Sequence, residues 1–417
     1  MKSPKANEEL YILLSNVDKD FKCDYVLQTA KILAKNNLTI ISYYTKPYSW
    51  GFLLRNSDKF FNILKSWKKI VVSKKPGIYE CEFISLIPLQ RFKKIYEINK
   101  NLTVYELRLL LFIKKLIVNK KHKTILWVFH ANSYFFLKKL GENISLYDCV
   151  DSFEEMEQEK KNFLNQEKSL LKKVDLVFAN SKALASSKKA IRKDIAIVPC
   201  GCALNNFPKR FLPKETPFAL KDIKSPIVGL VGYFNQRIDF DLIKYLFCHH
   251  KKLSVVFIGS ILDNLYLEES IYKGSVANSM MELKKYPGFY WLEKVSRQDL
   301  KDYLYFFDVG IIPYDLSIKT VYYSNPMKFY EYLAMGVPVV STPIPSLLKY
   351  KSSFVKFATT NKEFRDAVVS LVNLKEHKSG FRHQAIKIAE ENSWEKKVEY
   401  IKKQINTALI KTIIQGH

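Results

Sequence analysis

SNPMKFYEYLAMGVPVVST, residues 324–342, divides into four consecutive parts. Ser324 and Asn325 are helix-capping residue types, and Pro326 follows at a position where a missing N–H is harmless. Residues 327–335 are good helix formers with no breaker among them. Gly336 supplies a C-terminal stop, and Pro338 opens a short apolar run, Val339-Val340, suited to a buried parallel strand. The stretch VGIIPY (309–314) lies just upstream and reads as another strand. The order is therefore strand, helix start, helix, strand. In an open α/β sheet this places the helix start at the carboxyl ends of the strands, where such sheets bind ligands.

The chemistry available there is specific. Free N–H groups around Asn325 and Met327, together with the helix dipole, make an anion site suited to a diphosphate. Lys328 and Glu331 are three apart and share one helix face. The ammonium suits phosphate charge, and the carboxylate suits ribose hydroxyls. The same spacing also fits an ordinary surface Lys–Glu pair on a core helix.

The pattern P-x-K-x-x-E-Y-L-A-x-G-x-P-V-V resembles the donor motif of GT-B glycosyltransferases, close to the retaining family-4 type and to enzymes of surface-polysaccharide assembly. The resemblance implies that Glu331 binds the donor ribose and that the backbone at Ser324, Asn325 and Met327 meets the diphosphate. Tyr323 stands where the usual motif carries the first of two glutamates. The implied architecture is α/β: two Rossmann-like domains with parallel sheets facing across a cleft, and a C-terminal helix crossing back. The implied activity is that of a hexosyltransferase. It uses a nucleotide-sugar donor as substrate and no cofactor, and acts on a glycan or a lipid-linked acceptor. No metal is required in this scheme, because the helix dipole, Arg237 and Lys328 can neutralise the diphosphate.

Composition agrees with a globular protein of that size. The chain has 417 residues, 47% of them apolar, enough for two or three cores. No uninterrupted apolar stretch reaches the roughly 18–20 residues that span a bilayer. The first residues, MKSPKANEEL, carry acids where a signal peptide needs an apolar core, so a cytoplasmic protein is expected. The six cysteines show no C-x-x-C pair, which disfavours a disulfide framework or a zinc site and fits a reducing compartment. The net charge is +26, and residues 1–140 alone hold 26 Lys/Arg against 10 Asp/Glu. An excess so placed implies an anionic partner for the N-terminal part. Within it, residues 52–72 interleave Phe52, Phe60, Phe61, Leu64 and Trp67 with Arg55, Lys59, Lys65, Lys68 and Lys69, and 106–121 repeat the composition. Such segments can lie at an anionic membrane surface. They can equally pack an aromatic stripe on their own domain.

From the N-terminus the chain alternates strand and helix, with strands expected at 10–16, 38–44, 124–130, 145–151, 175–181 and 195–201 and an acidic helix at 153–173. No G-x-G-x-x-G follows the first strand, which disfavours a dinucleotide cofactor. Residues 1–205 form the expected acceptor-side domain and 206–225, rich in Pro and Lys, the linker. Residues 226–390 form the nucleotide-sugar domain, and 391–417 the returning helix. Arg237 follows the first strand of the second domain, where a guanidinium can clamp phosphate.

The catalytic candidates are His130 and Asp151, each closing a strand. If the enzyme inverts, Asp151 can deprotonate the acceptor hydroxyl. If it retains, the leaving phosphate can take that proton and Asp151 orients substrate. Asp148, three residues back on the opposite face of the strand, reads as structural. Two other functions are open at this stage. One is a basic nucleic-acid-binding protein, although no zinc-finger, RNP or basic-zipper pattern is present. The other is a GT-B relative without turnover that acts as a partner subunit.

Overall fold

The structure is a computed structural model. It describes residues 9–15, 24–44, 71–72, 77–83, seven positions between 98 and 111, 123–155, 160–250, 252–261, 271–374 and 378–415. The first half comprises β1 (Glu9–Ser15), α1 (Asp24–Leu33), β2 (Leu38–Tyr44), β3 (Val71–Val72), β4 (Ile78–Phe83), β5 (Lys123–Val128), β6 (Ile144–Cys149), α2 (Lys160–Lys173), β7 (Leu176–Ala179), α3 (Lys182–Lys188) and β8 (Ile195–Ile197). The second comprises β9 (Ile227–Val231), α4 (Phe240–His249), β10 (Ser254–Ile258), α5 (Ile271–Leu283), β11 (Phe289–Leu292), α6 (Leu300–Leu304), β12 (Val309–Ile312), α7 (Lys319–Tyr323), α8 (Met327–Ala334), β13 (Val339–Ser341), β14 (Val355–Phe357), α9 (Asn361–Val372), α10 (Lys378–Glu391) and α11 (Trp394–Gln415).

Two compact units result. The first gathers β1 to β8 and the α11 residues from Val398 onward; the second runs from Pro199 to Lys397 and takes in Ser181–Ala183. The first sheet has the order β3-β4-β2-β1-β5-β6-β7-β8, parallel throughout except for the two-residue edge strand β3. Its order reverses between β1 and β5. The second sheet, β11-β10-β9-β12-β13-β14, is parallel and reverses between β9 and β12. Each reversal opens a crevice at the carboxyl ends of the two central strands.

Near-continuous apolar strands suit a sheet covered on both faces. In β9, Ile227 and Val231 enter one core cluster while Val228 and Leu230 enter the other, and β10 divides its residues the same way. The core of the first unit includes Trp127, Phe129 and Phe178 from its sheet and Val398, Ile401, Ile405 and Leu409 from α11.

Several sequence expectations differ from this structure. The strands β3 and β4 were not anticipated: Glu80 and Glu82 interrupt the apolar pattern of β4, and β3 is too short to show one. Val71 and Val72, read as the end of a membrane-facing segment, form β3; residues 52–70 lie outside the described residues, as do 106–121 apart from 107, 108 and 111. Phe153–Glu155, the start of the expected acidic helix, form a 3-10 turn, and among the described residues regular helix runs from Lys160 to Lys173. The stretch read as a linker, 206–225, is packed into the second unit: Phe207, Leu220 and Ile223 sit in its core. These three anchors are irregularly spaced among prolines and lysines, so no period betrays them.

Candidate active site

α8 carries three of the six predicted donor residues, Met327, Lys328 and Glu331. Gly336 adopts φ +71 directly after it. Val337 N–H donates to Tyr332 C=O and Gly336 N–H to Leu333 C=O, both at 2.9 Å. This Schellman closure is what the glycine was expected to supply. Arg382 Nη1 adds a hydrogen bond to Met335 C=O at 2.6 Å.

The helix start differs from the sequence reading. The N-cap is Pro326, in an extended conformation, and no side chain caps the first turn. Ser324 turns its hydroxyl back to Val321 C=O at 2.8 Å, closing α7, and its own carbonyl accepts from Ser346 Oγ at 2.7 Å. Asn325 is buried beside the Tyr330 phenol, whose pKa burial raises well above the ordinary tyrosine value. Ser324 and Asn325 therefore shape the approach to the helix, and the first-turn N–H groups belong to Met327 and Lys328.

Lys328 reaches the point where the second sheet reverses. Its ammonium lies 5.3 Å from the centroid of the Tyr314 ring, just beyond β12. Gly232, just beyond β9, has φ +114, and a Cβ built there would lie 3.6 Å from Lys328 Nζ. The turn after β9 is tied to the end of β12. Asp315 N–H donates to Arg237 C=O and Asp239 N–H to Pro313 C=O, each at 2.8 Å. The Arg237 backbone is thus fixed beside the end of β12, in the turn that begins at Gly232. The close approach continues to β10, where a Cβ on Gly259 would come within 1.9 Å of Gly232 O. Asp239 caps α4 by accepting from Leu242 N–H at 2.9 Å; burial pushes its carboxyl up, and Asp315 adds to the rise.

A side chain holds this crevice open. β9 and β12 pair only at Val228↔Val309 and Gly229↔Gly310. Beyond that, the fully buried Tyr332 inserts its hydroxyl, accepting from Val231 N–H at 3.1 Å and donating to Gly229 C=O at 3.3 Å. Its ring occupies the space over Gly310, where a Cβ would fall 2.6 Å from Cδ2.

Glu331, one turn beyond Lys328, is buried and pairs with Arg297, from the stretch between β11 and α6. The sequence alternative of a Lys328–Glu331 pair is replaced by two separate arrangements, with Lys328 turned to the crevice and Arg297 on the carboxylate. Arg297, Gly232, Tyr314 and Tyr332 were not singled out from the sequence. Gly232, ending an apolar strand, was the one legible signal.

In the first unit, His130 follows β5 at the reversal of the sheet. It is buried, and its Nδ1 accepts from Asn132 N–H at 3.3 Å, capping a 3-10 turn at Ala131–Phe136. That tautomer leaves Nε2–H as a donor. The ring packs against Phe153 and Phe163, centroids 4.6 and 5.2 Å away. Asp151 lies just past the neighbouring strand β6, half-buried, with Oδ1 accepting from Ser152 N–H at 2.9 Å. The sheet therefore brings His130 and Asp151 to one rim, while Asp148 is fully buried within β6.

Behind that rim lies a buried ion cluster. Lys188 Nζ bonds Glu154 Oε1 and Glu167 Oε2, both at 2.7 Å, and Tyr147 OH donates to Glu167 Oε1 at 3.0 Å. Burial opposes the Lys188 charge, but Glu167 and then Glu154 outweigh it and raise its pKa. The members are 21 and 34 residues from Lys188, so no local spacing reveals the cluster. Among the described residues, no group of three or more His, Cys, Asp or Glu is placed to hold a metal ion, and no helix is long and apolar enough to cross a membrane.

The chain superposes on solved structures over nearly its whole length. Anabaena HepE in complex with UDP-glucose matches with a TM-score of 0.68 at 11% identity, over 95% of this chain and 99% of that one. The fold is GT-B. Sucrose-phosphate synthase from Thermosynechococcus elongatus shares the GT-B architecture with a TM-score of 0.65 at 12% identity, covering 97% and 100% of the two chains. An α,α-trehalose-phosphate synthase (UDP-forming) from Burkholderia vietnamiensis gives 0.67 at 10% identity, covering 95% and 96%. In sequence, a putative teichuronic acid biosynthesis glycosyltransferase, TuaH of Bacillus subtilis (strain 168), is 24% identical over 227 residues. That match covers 50% of this GT-B chain and 53% of TuaH, so it spans about half the length of that relative. No protein-family model matches.

Proposed function

We propose that this chain is a glycosyltransferase that moves a sugar from a nucleotide-sugar donor to a glycan or lipid-linked acceptor in cell-surface polysaccharide assembly. The observation that carries the reading is the convergence of Lys328, the Gly232 turn and the Arg237 loop at the reversal of the second sheet, with Glu331 one turn further along the same helix. A diphosphate meets two cations and the first-turn N–H groups of Met327 and Lys328, while Glu331 accepts from ribose. Two comparisons support it: HepE was solved with UDP-glucose, and TuaH carries a glycosyltransferase name.

The chemistry follows from charge. As the glycosidic bond to the diphosphate breaks, negative charge builds on the leaving oxygens, and fixed cations and amides stabilise it without reorganising. Lys328, Arg237 and the helix start supply this in a metal-independent scheme. His130, buried at the same rim as Asp151, is assigned to the transferred sugar. Asp151 takes the acceptor proton if the reaction inverts; if it retains, the departing phosphate takes that proton and Asp151 orients the acceptor.

The reading places the protein on the cytoplasmic side of an anionic membrane. It rests on the charge excess of residues 1–140 and on a separate patch of the second unit. Within 209–224, Leu212 and Phe218 are 79% and 88% exposed, and the exposed cations Lys209, Arg210, Lys214, Lys221 and Lys224 outnumber the exposed acids Glu215 and Asp222. The test of the function is a thermal-shift panel of UDP-, GDP-, ADP- and CMP-sugars. A donor at 100 times its dissociation constant adds about 2.7 kcal/mol of apparent stability. No shift with any donor, together with tight RNA binding, would overturn the proposal.

A further inference from the structure

Glu331 is 6% exposed, and its Oε1 accepts from Arg297 Nη1, while the Arg297 side chain is 40% exposed. The pair joins a buried helix position to a residue 34 positions earlier, on the far side of β12. The buried Cys202 lies close enough to feel both charges; burial raises its thiol pKa and Glu331 raises it further, while Arg297 opposes. Lys328, the cation that spacing offers to Glu331, is instead turned over Tyr314 towards Gly232.

We propose that Arg297 is the positioning residue that makes donor recognition depend on the ribose 2′-hydroxyl. The inference rests on the reading of Glu331 as the ribose carboxylate. A carboxylate has two oxygens and about four acceptor directions. A planar guanidinium on Oε1 fixes the plane of the group and leaves Oε2 to accept from a hydroxyl in one orientation. It also frees Lys328 from Glu331, so the lysine serves phosphate alone. Two cations thus divide two tasks that one lysine would otherwise share. A donor lacking the hydroxyl leaves a fixed, buried acceptor without its partner, which is how a built polar site rejects an analogue.

The experiment is calorimetric titration of the full chain with UDP, GDP and ADP, each beside its 2′-deoxy counterpart and its monophosphate. It is run on wild type, Arg297→Met, Arg297→Lys, Glu331→Gln and the Met/Gln double variant. Wild type should prefer the ribonucleotide by about tenfold or more, the worth of one hydrogen bond to a charged group. Arg297→Met should shrink that preference to about twofold while keeping the ratio of diphosphate to monophosphate affinity. Arg297→Lys, which keeps a charge and avoids stranding Glu331, should fall between. The double variant should add little to either single change, because both remove one arrangement. Equal weakening of ribo and deoxy ligands in a folded Arg297→Met would make the arginine merely structural. Full discrimination in Arg297→Met alongside its loss in Glu331→Gln would overturn the inference and leave the ribose reading standing. Unchanged discrimination in Glu331→Gln, or no binding of any nucleotide, would sink the underlying reading itself.

Discussion

Tyr332→Phe isolates one hydroxyl on which the donor crevice depends. The variant keeps the ring that fills the space over Gly310 and creates no appreciable cavity. It strips Val231 N–H of its acceptor at 3.1 Å and Gly229 C=O of a donor at 3.3 Å, both deep in the sheet. An orphaned buried donor costs about 1–3 kcal/mol, and a carbonyl losing one of its partners costs less. We expect a loss of about 2 kcal/mol. For a unit of about 200 residues, each kcal/mol moves the midpoint by about 2–4 °C, so Tm should fall by about 4–8 °C. Scanning calorimetry measures the shift, and hydrogen exchange locates it: the Val231 amide, protected in wild type, should exchange faster in the variant. Donor affinity should weaken as well, because Val231 adjoins the Gly232 turn. A variant that melts within about 1 °C of wild type with Val231 still protected would show that the hydroxyl does not replace the strand ladder.

Lys188→Met strands Glu154 and Glu167 in the interior and should cost about 3–5 kcal/mol in urea unfolding; a loss below about 1 kcal/mol would contradict the cluster. Because its carboxylate partners raise the Lys188 pKa above the ordinary 10.5, its stabilisation is present below that pH and is lost as pH climbs through the folded value, which alkaline titration of the melting point would detect. Neutralising Arg237 or Lys328 should weaken a nucleoside diphosphate far more than the free nucleoside, and equal losses by calorimetry would remove both from the phosphate. Gly201→Ala places a Cβ 2.7 Å from Trp394 Cα, which cannot rotate away, so a loss of about 1–3 kcal/mol is expected in thermal melts, and an unchanged melt would refute the close packing. Anionic liposomes should co-sediment the protein at low salt. Phe60, Phe61 and Trp67 changed to Ser, or Leu212 and Phe218 changed to Ser, should each remove part of the salt-resistant binding, and indifference to liposomes would end the membrane reading.

Much of the second unit was legible because its strands are uninterrupted apolar runs and its key helix ends in a glycine. The order at 309–342 therefore read as strand, helix, strand, and the backbone of Arg237 and the side chain of Lys328 both lie by the reversal of the second sheet. The start of α8 was misread because the Ser324 hydroxyl could either accept from the first-turn N–H groups of α8 or donate to the end of α7, and it donates to Val321 C=O. No capping rule shows that competition, since α7 (KTVYY) is rich in residues that do not advertise a helix. Partners distant in sequence were hidden for a simpler reason. Arg297 on Glu331, Lys188 on Glu154, and Trp394 against Gly201 depend on how strands stack, and periodicity carries no information about that. The segment 206–225 misled through composition: prolines and lysines looked like a tether, while three irregularly placed apolar side chains anchored it.

The helix α11 sets an order on how the protein can be made. Val398, Ile401, Ile405 and Leu409 complete a core whose other members include residues of β1, α1, β2, β4, β5, β6 and β7. A ribosome delivers those strands first, then all of residues 199–397, and only then the helix that covers them. Throughout that interval the early strands wait with an apolar face unsealed, while the second unit, which lacks this dependence, can already close. Chains ending at residue 397 should therefore present a protease-resistant second unit beside a first unit that is readily cut and drawn to holdase chaperones. Supplying residues 398–415 as a separate peptide should restore resistance to the first.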